Sequence, residues 1–361
     1  MKPVNRLRFV VTSWILAGLS CAGAAAADPP LQIVSIDVEG GAATLYLTPE
    51  GKSLLIDSGW PGSMGATSPS SAERIVAAAR KLSLRKIDYL LVTHYHVDHV
   101  GGVQELLGRF PVGEILDHGP NREVAAADTP QAYMALQPQT LYPEYLRAIA
   151  GHPHRSLKPG DTLRIGSLNL TVVTSDRQVL AKPLPGAGQA TPECAGMTDK
   201  DMDGGEENPR SVGVLLTFGR ARIVSLGDLT WNVEKALVCP TNKVGHADLF
   251  FVSNHGTNLN NSPALLHALS PRVAIMGNGA RKGGDPESYD TVSGSPGLEG
   301  FFELHYAEKG GPEHNPPEAY IANPDAKHDQ HLPLHVAVFA DGRLAVTNER
   351  TGRCWTFGPP R

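Results

Sequence analysis

The sequence contains few cysteines, few aromatic residues and no excess of positive charge. Four cysteines and 6% aromatic residues occur among 361 residues, and the formal net charge is -5. No two cysteines form a C-x-x-C pair, so their spacing is not that of a zinc finger. The net charge does not support nucleic acid as a partner, because nonspecific binding depends on neutralisation of phosphates by Lys and Arg. After residue 27, no apolar run is long enough to cross a bilayer.

The first 27 residues have the pattern of a secretory signal peptide. A positively charged segment precedes an apolar run at residues 9–19, and an A-x-A cleavage site ends at Ala27. Cys21 raises the alternative of a lipoprotein, but Gly18 stands where that signal usually has Leu. We therefore expect cleavage of residues 1–27 and a secreted or periplasmic mature chain.

Cleavage after Ala27 leaves three cysteines, Cys194, Cys239 and Cys354. An oxidising compartment allows a disulfide, and three cysteines allow three different single bridges. Cys194 and Cys239 flank a pair of apolar segments that resembles a strand hairpin, and we favour this pairing. The alternative is three buried thiols.

The mature region, residues 28–361, has the composition and the pattern of one α/β domain. Hydrophobic residues make up 41% of the chain and charged residues 19%, as in soluble globular proteins. Apolar strand-like runs alternate with helical patterns, such as the helix that a capping box of Ser70 and Glu73 predicts. Residues 179–209 are the exception. Their Gly, Pro and acidic residues predict a long irregular loop, and such loops are usually functional or mobile.

A dense group of candidate metal ligands follows an apolar run that ends at Val92. His94, His96, Asp98 and His99 fall within six positions, before Gly101. In extended chain, residues i and i+2 point the same way, so the first two histidines can reach one metal. Asp98 and His99 fall where the chain turns into a helix and can face a second metal. The alternative is a surface loop that is rich in histidine, but the strand before the cluster and the turn after it favour a site.

Other polar residues also follow apolar runs. Asp228 and His255 each stand directly after one, as does His118, for which a role as ligand or acid is weighed against that of a capping histidine. Asp57 ends a strand and is a candidate to orient a ligand histidine through its ring N–H. Asp176 is a further candidate oxygen ligand.

The segment THYHVDHVGG resembles the H-x-H-x-D-H signature of the metallo-β-lactamase superfamily. The stretch IDVEGGAATLYLTPEGKSLLIDSG at residues 36–59 is similar to the opening of the hydrolase domain of ComEC-like competence proteins, and the likeness continues through SLGDLT and VSNHGTNLNNSP. It implies an αβ/βα sandwich of two mixed β-sheets flanked by helices. ComEC-like domains carry two histidines where this chain has Asn254 and His255. A further histidine, expected in glyoxalase II and in the β-lactamases, is not evident after Val173, and ComEC-like enzymes also lack it.

The resemblance implies a binuclear site, with Asp228 as the carboxylate between the metals. His94 and His96 would bind one metal, and Asp98, His99 and His255 the other. Two zinc ions fit this set of nitrogen and oxygen ligands, while manganese or iron also fits. We assign catalytic roles to Asp98, Asp228 and His118.

The implied function is an exported hydrolase that activates water for attack on a phosphodiester or a related phosphate ester. One alternative is a lactone, β-lactam or thioester hydrolase with the same metal site. Another is a secreted binding protein with a degenerate site, which Asn254 keeps open. His118, His305 and Lys282 are the candidate proton donors for the leaving group. The remaining polar histidines are assigned to the surface; they are His152, His154, His314, His328, His331 and His335.

Overall fold

Two mixed β-sheets face each other in a computed structural model that describes residues 28–64, 69–200 and 205–360. The predicted signal peptide at residues 1–27 lies outside these ranges. In chain order the strands are β1 (Leu31–Ser35), β2 (Thr44–Leu47), β3 (Ser53–Ile56), β4 (Ile87–Leu91), β5 (Val112–Asp117), β6 (His154–Ser156), β7 (Thr162–Ile165), β8 (Leu168–Ser175), β9 (Gln178–Val179), β10 (Gly213–Phe218), β11 (Ala221–Ser225), β12 (Leu249–Phe251), β13 (Val273–Met276), β14 (Gly300–His305), β15 (Ile321–Asn323), β16 (Leu334–Val338), β17 (Leu344–Asn348) and β18 (Cys354–Phe357). The helices are α1 (Ser71–Lys81), α2 (Val97–Val100), α3 (Val103–Arg109), α4 (Pro138–Ala148), α5 (Trp231–Val238), α6 (Pro263–Leu269) and α7 (Pro286–Ser293).

Each sheet has a parallel part and an antiparallel part. The first sheet has the order β18-β17-β16-β1-β2-β3-β4-β5-β6, and it is parallel from β3 to β6. The second has the order β15-β14-β13-β12-β11-β10-β8-β7, and it is parallel from β11 to β15. The predicted αβ/βα sandwich of two mixed sheets is confirmed. Ligands placed at the carboxyl ends of parallel strands therefore have one common edge in each sheet.

The alternation of side chains along the strands divides the core into three layers. Ile33 points between the two sheets, whereas the next residue, Val34, points to the outer face of the first sheet. That outer face is covered by α1, α3 and α4, and the outer face of the second sheet by α5 and α6. The cluster between the sheets is built mainly from apolar side chains, and the polar site lies at the edge of the sandwich.

Helix α1 begins at the predicted capping box. The Ser70 side chain accepts a hydrogen bond from the Glu73 amide, and the Glu73 carboxylate accepts one from the Ser70 amide. The helix that the sequence predicts after the histidine cluster is divided into α2 and α3. A Cβ at Gly101 would overlap Pro61, and one at Gly102 would overlap the Ser58 carbonyl, so this turn packs directly against the segment after β3.

The long loop is more ordered than its composition indicates. The disulfide favoured from the sequence, Cys194–Cys239, is present, with its Cα atoms 5.7 Å apart. Leu180, Leu184 and Met197 pack against the core under α5 and α6. The described parts of residues 179–209 are therefore fastened to the second sheet. No helix in the described ranges is long and apolar enough to cross a membrane.

Candidate metal centre

The six predicted ligands meet at the edge where the two sheets face each other. His94 and His96 follow β4, and Asp98 and His99 lie in α2. Asp228 follows β11. His255 lies in a short 3-10 turn after β12, at residues 253–256. The first sheet thus supplies four of these side chains and the second sheet two, as expected for neighbouring carboxyl ends of parallel strands.

Four of the six side chains lie close enough together to bind one metal ion. Their ligand atoms all lie within 4.8 Å of one another, and the four residues are buried: Asp98, His99, Asp228 and His255. Asp98 Oδ2 lies 3.3 Å from His99 Nε2 and 3.0 Å from His255 Nε2. Asp228 Oδ1 lies 3.2 Å from His99 Nε2. Carboxylate oxygens and imidazole nitrogens at these separations form a donor set suited to a zinc ion.

A second pair of nitrogens converges on the other side of Asp228. His94 Nε2 lies 3.0 Å from His96 Nδ1 and 3.9 Å from Asp228 Oδ2. The Asp228 carboxylate thus has one oxygen facing His99 and the other facing His94 and His255. The structure brings together all six side chains in the two groups that the sequence analysis named. Their role as metal ligands stays a prediction.

The Nδ1 atoms of His99 and His255 point away from the cluster, and each contacts a hydrogen-bond acceptor. His99 Nδ1 lies 2.8 Å from Asp57 Oδ2, which is the contact predicted for Asp57. His255 Nδ1 lies 2.9 Å from the carbonyl oxygen of Gly277. We assign the ring protons to these Nδ1 atoms, because both partners only accept. The Nε2 lone pairs of His99 and His255 then point into the cluster.

A bound metal would explain the Nε2 atoms of His99 and His255, which point into the cluster. Neither His99 Nε2 nor His255 Nε2 forms a well-aligned hydrogen bond in the described part of the chain, although both are buried and close to carboxylate oxygens. Such orphaned polar atoms are costly and rare in native structures. Ligand histidines characteristically donate their other N–H to a carboxylate or carbonyl, as these two do. The residues present therefore fit a divalent metal.

Burial and the charges around the cluster determine the protonation states of the ligands. Burial, together with the positive charges of His99 and His96, holds the pKa of His94 well below its ordinary value, so its ring is neutral. Burial works against ionisation of Asp228, but the neighbouring His99 and His255 outweigh it and hold the pKa of this carboxyl below its usual range. A neutral imidazole and an ionised carboxylate are the required ligand forms.

His99 differs from His94. Burial works against a positive charge on His99, but Asp228 and Asp98 outweigh it and raise the pKa of His99 well above its ordinary value. This ring would therefore release a proton when a metal binds, whereas His94 and Asp228 already have the forms that bind metal.

A family model described as the metallo-beta-lactamase superfamily matches residues 36–279, well over half of the chain and a range that includes all six converging side chains. The chain belongs to the metallo-β-lactamase superfamily. The ComEC-like subgroup stays a prediction.

Curated relatives of this superfamily member match it over short segments. A hydroxyacylglutathione hydrolase of Alkalilimnicola ehrlichii is 50% identical over 44 residues, which is 12% of this chain and 17% of that protein. One of Rhodopseudomonas palustris is 38% identical over 69 residues, or 18% of this chain and 27% of that protein. The chain thus matches well under a third of the length of these relatives.

Solved structures resemble the superfamily member over more of its length. The metallo-beta-lactamase fold protein YhfI from Bacillus subtilis is 13% identical, with 76% of this chain and 96% of that chain covered and a TM-score of 0.43. CmlA, a diiron β-hydroxylase from Streptomyces venezuelae, is 17% identical, with 76% and 48% covered and a TM-score of 0.36.

Several other predicted site residues of this metallo-β-lactamase-fold chain lie outside the cluster. The ring of His118 is buried beside Tyr95, and its Nε2 lies 2.9 Å from Glu207 Oε2. Asp176 forms an ion pair with Arg210. The structure therefore gives both residues protein partners, and the catalytic role assigned to His118 stays a prediction.

The two other candidate proton donors have different surroundings. Lys282 donates to Asp98 Oδ2, and its ammonium lies 4.8 Å from the centre of the Trp60 ring. It therefore borders the centre directly. His305 is fully buried, and its Nε2 lies 2.7 Å from Asp37 Oδ1, in a separate group of charged residues.

Two histidines that the sequence assigned to the surface have acidic partners that are distant in the sequence. His154 Nε2 lies 2.7 Å from Asp117 Oδ2, and His331 Nδ1 lies 2.8 Å from Glu39 Oε1. Both follow polar segments, so the local pattern gave no sign of these partners. His154 is exposed as predicted, whereas His331 is only partly exposed.

Three polar residues that support the centre were missed. Thr93 donates its hydroxyl and its amide to the two oxygens of Asp57, at 2.8 Å each. Glu123 Oε1 lies 3.4 Å from His96 Nε2. Asn260 Nδ2 donates to the carbonyl of Asp228, and Asn260 Oδ1 accepts from the Asn254 side chain. Asn254, found where ComEC-like domains have a histidine, thus stabilises the backbone at Asp228 through its hydrogen bond with Asn260.

Proposed function

We propose that this member of the metallo-β-lactamase superfamily is an exported, metal-dependent hydrolase that cleaves a phosphodiester or a related phosphate ester. The convergence of six ligand side chains, five of them buried, carries the proposal, together with two buried imidazole nitrogens that make no well-formed hydrogen bond in the described ranges. Two zinc ions are the proposed cofactors, and manganese or iron suits the same donors. Export rests on the signal-peptide pattern of residues 1–27.

Metal ions in this centre would supply Lewis acidity and a water that is deprotonated near neutral pH. The protein's own part is to hold the ligands. Asp57 fixes the His99 ring, Gly277 fixes that of His255, and Asp228 places one oxygen toward each half of the cluster. Fixed, buried ligands of this kind need no reorganisation during the reaction.

The surroundings of the centre favour an anionic substrate. Lys282 places a positive charge at Asp98, and its side chain lies over Trp60 at the edge of the site. When substrate binds, a phosphate ester oxygen could replace Asp98 as the hydrogen-bond acceptor of the Lys282 ammonium. The ComEC-like stretches and the missing histidine after Val173 support the same substrate class.

A second candidate is a thioester hydrolase. The short matches to hydroxyacylglutathione hydrolases favour it. Those enzymes act, by name, on a thioester of glutathione, whose carboxylates would also suit the charge of Lys282. A substrate panel separates the two candidates because phosphorus and carbonyl centres require different substrates.

The test combines metal analysis with hydrolysis by the purified mature protein. The panel is bis(p-nitrophenyl) phosphate, p-nitrophenyl phosphate, S-lactoylglutathione, nitrocefin and a lactone. Asp228→Ala is expected to lower the metal content and to reduce the phosphodiesterase rate by about 10²-fold or more, since removal of a metal-bound charge costs several kcal/mol of transition-state stabilisation. Asp290→Ala, at a largely exposed residue in α7, is the control.

Each outcome points to one function. At least two metals per chain, with phosphodiester cleavage that depends on Asp228, supports the proposal. Turnover of S-lactoylglutathione, nitrocefin or the lactone alone overturns it in favour of a carbonyl hydrolase. A wild-type chain that binds no metal after equilibration with zinc would be a binding protein on a hydrolase scaffold.

A further inference from the structure

A second group of charged side chains lies near the metal centre and shares none of its residues. Four ligand atoms lie within 4.8 Å of one another, from Asp37, Glu39, His305 and Asp329. We call these residues, together with His331, the outer cluster. They come from the loop after β1, the end of β14 and the loop between β15 and β16. These segments are distant in sequence, so only the fold brings them together.

His305 is the key residue of the outer cluster. Its side chain is fully buried, and its Nε2 lies 2.7 Å from Asp37 Oδ1. Its Nδ1 has no hydrogen-bond partner among the residues that the structure describes, and Asp329 Oδ2 lies 3.8 Å away. The Asp57–His99 pair has the same arrangement, with one ring nitrogen on a buried carboxylate and the other orphaned beside acidic oxygens. This is the pattern of a metal-ligating histidine.

The charges of the outer cluster balance only with a further cation or with both imidazoles protonated. The cluster has three carboxylates and one neighbouring guanidinium, that of Arg74, which lies 3.3 Å from Asp37 Oδ2 and 3.1 Å from Glu39 Oε1. With neutral imidazoles, two negative charges remain uncompensated in a largely buried place, which is costly. A single divalent ion would neutralise them.

His331 supplies a second nitrogen to the outer cluster. Its Nδ1 lies 2.8 Å from Glu39 Oε1 and 3.4 Å from Asp329 Oδ2, but it forms no well-aligned hydrogen bond in the described ranges. Two imidazole nitrogens and two carboxylates are a donor set that zinc prefers and that calcium, which takes oxygen ligands, does not.

We propose that the outer cluster is a structural metal site that binds one zinc-like divalent ion. Glu39, His305, Asp329 and His331 are the ligands, Asp37 holds the His305 ring, and Arg74 neutralises the remaining charge. The ion fastens the loop before β16 to the turn after β1.

That turn connects the outer cluster to the metal centre. The Glu39 carbonyl accepts a hydrogen bond from Trp60 Nε1 at 3.3 Å, and the Ala42 amide donates to the Asp98 carbonyl at 3.0 Å. A Cβ at Gly40 would lie 2.9 Å from the Gly279 amide, so the turn packs tightly. The outer ion thus stabilises the wall of the centre without touching its ligands.

The experiment compares two double variants of the full chain. Asp329→Asn with His331→Gln removes two ligands of the outer cluster. Asp325→Asn with His328→Gln makes the same substitutions in an exposed pair of the same loop, whose side chains are bonded at 2.7 Å. Each protein is equilibrated with zinc, freed of unbound metal by gel filtration and analysed for zinc. The outer-cluster variant is expected to hold about one zinc fewer per chain than the loop control.

The two double variants are also compared in the Asp228→Ala background, in which the metal centre is impaired in both proteins. A zinc ion that is then missing only from the outer-cluster variant is assigned to the outer cluster. Zinc is also expected to raise the Tm of the loop control more than that of the outer-cluster variant. Equal zinc content in the two folded variants would overturn the proposal and leave a network of ion pairs with protonated imidazoles. The readout is zinc content and not hydrolysis, so the result is independent of the proposed enzyme activity.

Discussion

Asp57 shows how one side chain can organise a group of predicted metal ligands without belonging to it. One oxygen accepts from the Thr93 amide, and the other accepts from the Thr93 hydroxyl and contacts His99 Nδ1. Its backbone is in the left-handed region, with φ 60°, which is uncommon for a residue other than glycine. Strain of this kind persists where the surrounding contacts determine the conformation, as they do here.

We expect Asp57→Asn to weaken metal binding by about 10–100-fold, the effect of removing a partner that orients a ligand histidine. The amide would keep the approximate shape but lose the charge that holds the N–H of His99. Zinc affinity measured by competition with a chelator tests this. Asp88→Asn, at the other end of β4 in contact with Ser53, is the control. Equal affinities in the two variants would show that Asp57 serves only the fold.

At the residue scale, the sequence predicted what is local and missed what is distant. The sequence predicted one site for His94, His96, Asp98 and His99. Residues this close together in the sequence, at the end of one strand, also lie close together in the fold. The outer cluster joins Asp37 to Asp329, and no local pattern relates them. Contacts of this range depend on the strand order, which the sequence pattern did not determine.

Among the elements, the turn between β11 and α5 has a conformation that requires glycine. Gly227 has φ 59°, and a Cβ there would lie 2.9 Å from the Thr93 Cβ. Its carbonyl accepts a hydrogen bond from the Asn254 amide. The turn therefore joins the two strand ends that carry Asp228 and His255.

We expect Gly227→Ala to lower the free energy of unfolding by more than about 1 kcal/mol, because alanine strains the left-handed backbone and the added methyl group displaces Thr93. The same shift moves Asp228, so metal content should fall as well. Urea unfolding and zinc analysis test both effects. Gly196→Ala, where the added Cβ meets nothing within 4 Å, should change neither. An unchanged Gly227→Ala protein would contradict this reasoning.

The elements also show where sequence patterns lose information. Helix α1 was predicted at its first residue because a capping box is a local signal. Strands β12 and β15 are only three residues long and buried, and were not predicted. A short apolar run has no periodicity to read, so its assignment depends on the sheet that it joins.

For the whole molecule, one buried carboxyl makes stability depend on pH. Glu303 in β14 is fully buried, and neither of its oxygens has a hydrogen-bond partner in the described residues. Burial raises the pKa of Glu303 well above its ordinary value. The folded chain therefore keeps a proton that the unfolded chain releases, and stability is lost as pH rises above that ordinary value.

We expect Glu303→Gln to remove this loss. The variant should unfold at nearly the same urea concentration as wild type near pH 4. Its advantage should grow as pH rises to 8, with a slope of up to about 1.4 kcal/mol per pH unit over the range in which Glu303 would titrate. Urea midpoints across this range test it, with Glu144→Gln at an exposed helix position as the control. A constant difference between Glu303→Gln and wild type would refute the assignment.

The ligands of the metal centre come from both sheets, four from the first and two from the second. Any ion held there is also a cross-link between the two halves of the chain, and only the folded state offers the complete ligand set. Binding would then add to the free energy of unfolding by RT ln(1 + [M]/Kd). A protein exported into a zinc-poor environment would open more often and meet proteases more often. Metal supply would thus set how long each molecule survives, as well as whether it is active.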